Sequence, residues 1–451
     1  MRRHLAIAVI SAAALLGTAA PAAADHADRP STKNIKAMGH LEAPASFLPG
    51  QDSPAGVNTD LAFWGNLIFQ GTYNGFRIIH NAPGKPKEIS FTTCTGNQGD
   101  VVIYEDVLGR SWNSPAPAGA TCDGQPVPTG FEGLHVFDIS DPEDPVLVAA
   151  VRTPCGSHTA TGVPDPANNR LLVYNNPSST LCPWMEIVTV PLDDPAGSRI
   201  LRNEPLVGTT RCHDVGVILG DVNLAACAAG DAANVYSIGG PRGGSLEDPL
   251  FLYTIREPGV GTGGSWHSAA FTWDGEVLVL GWEPGGGAAA ECEATDPTVR
   301  RTMFFYDAQT GAKLGQWVLP PQSGTENYTI HNYNIVPLKD RYVVVSGNYQ
   351  AGTWVTDFTD PANPVVIAYS DPGPLTPTQL GGAWSSYWYN GFIYESSITE
   401  GLNVFKVTGN DLAGARHLHH MNPQTQEFAY AMDLSGGPGK GKGRGGSTGR
   451  P

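Results

Sequence analysis

The chain has 451 residues, with 27 basic against 43 acidic side chains, a formal net charge of −16 at pH 7, 55 glycines and 37 prolines. So acidic a chain argues against nucleic acid as a partner, which needs a basic footprint, and is compatible with holding a cation. No apolar run is long enough to be a transmembrane segment.

In chain order, residues 1–24 read as a signal peptide. Arg2 and Arg3 form its charged start, residues 5–17 its apolar stretch, and Ala22-Ala23-Ala24 the small residues before cleavage at Asp25. The expectation is a secreted chain whose seven cysteines meet an oxidising compartment, with one left over because seven is odd. At the other end, residues 435–451, SGGPGKGKGRGGSTGRP, are Gly-rich and basic and read as a disordered tail. Leader and tail hold six basic residues (Arg2, Arg3, Lys440, Lys442, Arg444, Arg450) and no acidic one, so residues 25–434 carry −22.

Between them, helical periodicity is nearly absent, and short β-branched or aromatic runs alternate with turn signals, which predicts an all-β chain. The segment NIKAMGHLEAP (34–44) reads as an outermost strand. One unit then recurs. GLHVFDISDPEDPVLVAAV (133–151) matches GTWVTDFTDPANPVVIAYS (352–370): a strand ending in Asp, an Asp-Pro-x-x-Pro turn, and a second strand. In that turn Asp141 or Asp360 bonds nearby backbone while the prolines preset φ and end the pairing. Weaker copies are NGFRIIH (74–80), MEIVTVPLDDP (185–195), ANVYSI (233–238), MFFYDAQTG (303–311) and GLNVFKV (401–407), which makes seven. Two further strands precede each copy, and the later units start near residues 158, 213, 267, 331 and 384. That spacing predicts a single seven-bladed β-propeller of four-stranded blades over residues 25–434. Either residues 34–44 or ARHLHHM (415–421) would close the ring against the last blade.

The GLHVFDISDPEDPVLVAAV motif resembles the LVIVD repeat of secreted and surface bacterial propellers. The likeness spans most of residues 34–410, with two clean copies, and implies the fold better than an activity.

In a propeller the first strand of each blade lines the axis. His158, His213, His267 and His331 stand at that strand's start in four consecutive units, so four imidazoles converge on one rim, with Thr59, Cys94 and Trp384 as the rest of the channel wall. Neutral imidazole is the commonest side-chain metal ligand, and a ligand set without thiolate suits a transition metal ion such as iron, copper or zinc. Second strands return to the same rim, where Glu105, Glu283 and Glu395 are candidates to orient a histidine N–H or balance charge. The blander reading is a histidine that bonds a neighbouring backbone in each repeat. In architecture alone the four axial histidines resemble the carotenoid-cleaving oxygenases, whose resemblance implies iron with glutamates behind it, and the selenium-binding and methanethiol-oxidising proteins.

GVGTGG (259–264) precedes a strand and opens no helix, so it reads as a loop, and no G-x-S-x-G, P-loop or H-E-x-x-H is present. His417, His419 and His420 read as surface histidines, and most tryptophans as core between blades. Cys155 is expected to pair with Cys182 and Cys212 with Cys227, while Cys122 and Cys292 sit in inserted loops. Two functions follow. One is an exported metal-dependent protein, oxidative or metal-assisted, that acts on a small molecule entering the histidine rim. The other is a metal-free extracellular binding or scaffold module with loops 106–132 and 284–300 as contact surface.

Overall fold

The computed structural model describes residues 29–44, 57–96, 98–261, 264–284, 291, 293, 295–320, 325–373, 375 and 381–427. The segments read as leader and tail, and Cys292, lie outside the described residues. The chain is all-β and propeller-like, built from consecutive four-stranded antiparallel meanders. The repeat explains each meander. Strand Gly133–Asp138 leads into Val146–Arg152, and Thr353–Asp357 into Val365–Ser370. In the connecting turns Asp141 Oδ1 accepts the Glu143 N–H at 2.9 Å, and Asp360 Oδ1 the Ala362 N–H at 3.1 Å. Both copies carry a bulge at the same place, at Val136/Phe137 and at Val355/Thr356.

Apolar side chains from adjacent meanders interlock face to face. Phe305 and Phe358, from neighbouring units, stack with centroids 4.5 Å apart and planes 6° from parallel, and burying such a ring stabilises by roughly 1.5–3 kcal/mol. Trp112, Trp266, Trp354 and Trp388 are fully buried in these layers, so they are core and not cleft.

The innermost strands are Asn58–Trp64, Val101–Tyr104, Thr159–Asp165, Cys212–Ile218, Gly264–Phe271, Asn332–Ile335 and Ala383–Tyr389, each beside the next. Ala383–Tyr389 also lies against Asn58–Trp64. Two of them pair directly through Asn332↔Ser385 and Tyr333↔Ser386, which merges two meanders into one eight-stranded sheet. Strand Ile35–Glu42 pairs antiparallel with Gly401–Val407, so the N-terminal segment takes the outer position beside the last meander. The C-terminal segment goes elsewhere: His420–Met421 pairs with Phe63 and Trp64, and Thr425–Gln426 with Val217 and Ile218.

One repeat boundary differs from the sequence reading. Val101–Tyr104 is the first strand of its unit, followed by a tight turn in which Glu105 adopts φ 50°, and the second strand is Val107–Trp112. Cys94 therefore ends the preceding unit. It forms a disulfide with Cys122, with 3.8 Å between their Cα atoms, and is not part of the channel wall. Cys155–Cys182 and Cys212–Cys227 pair as expected.

Candidate metal centre

His158, His213, His267 and His331 meet at one end of the channel, with ring centroids 4.4, 4.0 and 4.2 Å apart in succession. Local backbone irregularity aims two of them. A bulge lies between Cys212 and Asp214 and another between Trp266 and Ser268, so His213 and His267 are each the extra residue opposite one partner. A bulge at this position breaks the alternation of the strand and re-aims its side chain. The same device between Ala383 and Ser385 turns Trp384 toward the cavity.

The hydrogen bonds define three of the four tautomers. His213 Nδ1 faces the His267 carbonyl at 3.2 Å and His331 Nδ1 the Trp384 carbonyl at 2.5 Å, so both must donate. Ser268 donates its hydroxyl to the His331 carbonyl and therefore accepts from His267 Nδ1, 2.6 Å away. His158 Nδ1 faces Asn113 Oδ1 at 2.9 Å, an oxygen that also accepts from Ser178. His213, His267 and His331 thus carry their protons on Nδ1 and leave Nε2 as an acceptor, while the side-chain amide of Asn113 can serve either tautomer of His158. His158 Nε2 and His213 Nε2 are 2.7 Å apart. Burial holds all four below the usual histidine range, His267 and His331 at about 3, with Arg211 adding to the effect on His267 and the His267 ring adding to that on His331. At that distance a proton on His158 Nε2 makes a hydrogen bond to His213, and without that proton the two lone pairs repel each other. Two nitrogens so spaced can, however, both lie about 2.0–2.1 Å from one ion. The donor set fits a metal.

Glu283 stands with the histidines: its Oε2 is 3.7 Å from His267 Nε2, and ligand atoms of His213, His267 and Glu283 lie within 4.8 Å of one another. Tyr349 Oη donates to Glu283 at 2.5 Å. The other two glutamates do not join. Glu105 is exposed in its turn, because the strand before it runs away from the histidine rim. Glu395 is buried elsewhere, paired with Arg29 at 2.9 Å and hydrogen-bonded by Thr353 and Asn403. His420 is half-buried, stacked on Trp64 at 4.7 Å and paired with Glu427, while His417 and His419 are exposed. A second grouping, Cys94, Cys122 and His135, has both sulfurs in a disulfide and offers no thiolate.

The cavity at the rim has a volume of about 330 Å³ and is lined also by Tyr73, Arg211 and three aspartates that the sequence reading missed. Asp60, Asp100 and Asp214 each accept the N–H of the following residue at 2.9 Å. Asp60 and Asp214 sit one place past Thr59 and His213 on their innermost strands, and Asp100 directly precedes Val101–Tyr104. Their signal was there, as Thr-Asp-Leu, Gly-Asp-Val and His-Asp-Val, once the second unit is set in register. Burial raises all three, Asp100 well above the carboxylate range and Asp214 to about 8, with the Asp60 charge adding to both. Burial lowers Arg211, opposed by Glu283.

No family model and no curated protein matches the chain. Among solved structures it is similar to one titled as the mitotic checkpoint complex, with a TM-score of 0.52 and 10% identity over 88% of this chain and 100% of that one. Raptor of Chaetomium thermophilum gives 0.48 at 12% identity, over 78% of this chain and 28% of that one. The computationally designed Ika8 protein gives 0.46 at 11%, over 82% and 99%. The first likeness supports the fold alone. Among the described residues no helix is long and apolar enough to cross a membrane.

Proposed function

We propose that the chain is an exported seven-bladed propeller, similar to the LVIVD-repeat proteins, with one transition metal ion, iron, copper or zinc, at the histidine end of its axis. Support for the ring comes from the succession of seven neighbouring innermost strands and from Ile35–Glu42 beside the last meander. Support for export comes from the three disulfides together with the leader-like residues 1–24. The metal reading rests on one observation: four imidazoles gather at one cavity, His158 Nε2 and His213 Nε2 at 2.7 Å and the ligand atoms of His213, His267 and Glu283 within 4.8 Å of one another. His158, His213, His267 and His331 would hold the ion, with Glu283 close enough to join or to balance its charge. Once bound, such an ion supplies Lewis-acid or redox chemistry to a small molecule in the cavity. The chain's own residues do the rest. Glu283 is oriented by Tyr349, and Asp214, which burial holds above the usual carboxylate range, lines the same cavity.

The test is metal analysis of protein purified without a polyhistidine tag. The reading expects about one equivalent of iron, copper or zinc and a melting temperature that falls on chelation, because metal that binds only the folded ring stabilises it. His267→Ala should lose the metal and the chelation effect together. Wild-type protein that carries no metal, gains no stability from added iron, copper or zinc, and tolerates His267→Ala would leave the metal-free binding module as the function.

A further inference from the structure

Several arginines drawn into this fold are held in one of two ways. Arg29, Arg77, Arg170 and Arg341 each reach a carboxylate. Arg110, fully buried with no carboxylate, spreads its guanidinium over the carbonyls of Gly75, Ser111, Thr72 and Gly96. Arg211 follows neither pattern. It lines the cavity beside the histidines, and its one hydrogen bond among the described residues runs from Nη1 to the Ser178 carbonyl at 2.7 Å. Of the five N–H donors on a guanidinium, the rest of the fork is left for whatever enters.

We infer that the molecule entering the histidine rim is a small aromatic carboxylate, and that Arg211 receives its carboxylate group. This deepens the metal reading and rests on the same cavity being the working site. A planar guanidinium fork matches a carboxylate through two parallel hydrogen bonds, and among the described residues no other arginine or lysine lines the cavity. A dianion such as phosphate would meet Glu283 and three aspartates in the same cavity and has no ring to set against its aromatic walls. Tyr73, Tyr349 and Trp384 supply aromatic walls, with Tyr73 and Trp384 edge to face at 6.4 Å. A volume of about 330 Å³ is at the small end of ligand cavities, so the body of the molecule is about one ring in size.

The experiment is calorimetric titration with benzoate, its neutral isostere benzamide, and inorganic phosphate. It is run on zinc-loaded protein, on chelator-treated protein and on Arg211→Met. Wild type should bind benzoate roughly tenfold or more tightly than benzamide, and more tightly than phosphate, in both metal states. Arg211→Met should lose the preference for benzoate, and Arg211→Lys, a point charge without the fork, should keep only part of it. Should the methionine variant fail to fold, Arg211→Gln takes its place. If the protein holds no metal yet prefers benzoate through Arg211, this inference stands while the metal reading falls. If metal binds but benzoate and benzamide bind alike, or neither binds, or phosphate matches benzoate, or the variant keeps the preference, the inference is overturned.

Discussion

Innermost strands are edge strands: their inward N–H and C=O groups have no ladder partner unless something enters the channel. The C-terminal segment supplies that partner at the end away from the histidines. Asn422 does most of it at one strand, where Oδ1 accepts the Ile103 N–H and Nδ2 donates to the Ile103 carbonyl, both at 2.8 Å. Ile103 is wholly buried and Asn422 only 2% exposed. Asn422→Ala strands both backbone groups, each at about 1–3 kcal/mol, so about 2–6 kcal/mol in all. A folded body of roughly 400 residues melts with an entropy near 0.85 kcal/mol/K, so the melting temperature should drop by about 2–7 °C. Differential scanning calorimetry of the variant against wild type, both metal-free, measures it. A drop below about 1 °C would mean that residues 418–426 are not seated in the channel, and the cavity would then lose its floor, since Gln424 also holds Asp60 there at 3.1 Å.

Two further outcomes are expected. Burial pushes Glu186, which accepts from Asn175 and Trp184, up to about 7. The folded state then keeps a proton that the unfolded chain has lost, so the stability this group contributes is full below its unfolded value and is lost as pH rises toward 7. Glu186→Gln should accordingly gain on wild type between pH 5 and 8, by up to about 3 kcal/mol, and a difference in denaturant midpoint that does not change with pH refutes the assignment. For the disulfides, non-reduced peptide mapping should find Cys94–Cys122, Cys155–Cys182 and Cys212–Cys227. The Cys94→Ser/Cys122→Ser variant, which frees a separation of 28 residues, should lose about 3–4 kcal/mol on the chain-entropy estimate; unchanged stability would show that this bond staples nothing.

What the sequence makes legible here is whatever repeats. The Asp-Pro-x-x-Pro turns place strands in both clean copies, and the histidines are visible because they recur at one position of the unit. Errors arise where a unit departs from its own pattern. The second unit has a first strand of four residues and a long insertion before its third, so Val101–Tyr104 reads as a second strand. That single slip moves Glu105 to the wrong rim and Cys94 into the channel, and it hides Asp100. Arg211 and Asn113 were invisible for a different reason. Neither recurs, and their roles come from what faces them across the channel end: an open cavity in one case, and the His158 ring in the other.

The same contrast bears on function. Recurrence explains why a histidine begins a strand, since its imidazole can bond the backbone of the next unit, as His213 and His331 do through Nδ1. Those bonds are the structural role that a metal-free repeat would also need. They do not explain why four imidazoles gather at one cavity with Glu283 beside them. A repeat that used imidazole only as a strap between blades could place its far nitrogen in solvent at no cost. Here the four rings line one cavity with Arg211, and His158 and His213 bring their Nε2 atoms to 2.7 Å. On the metal reading a bound ion would stabilise that arrangement and on the other it would not, which is why stability with and without metal separates the two readings more cleanly than any activity assay.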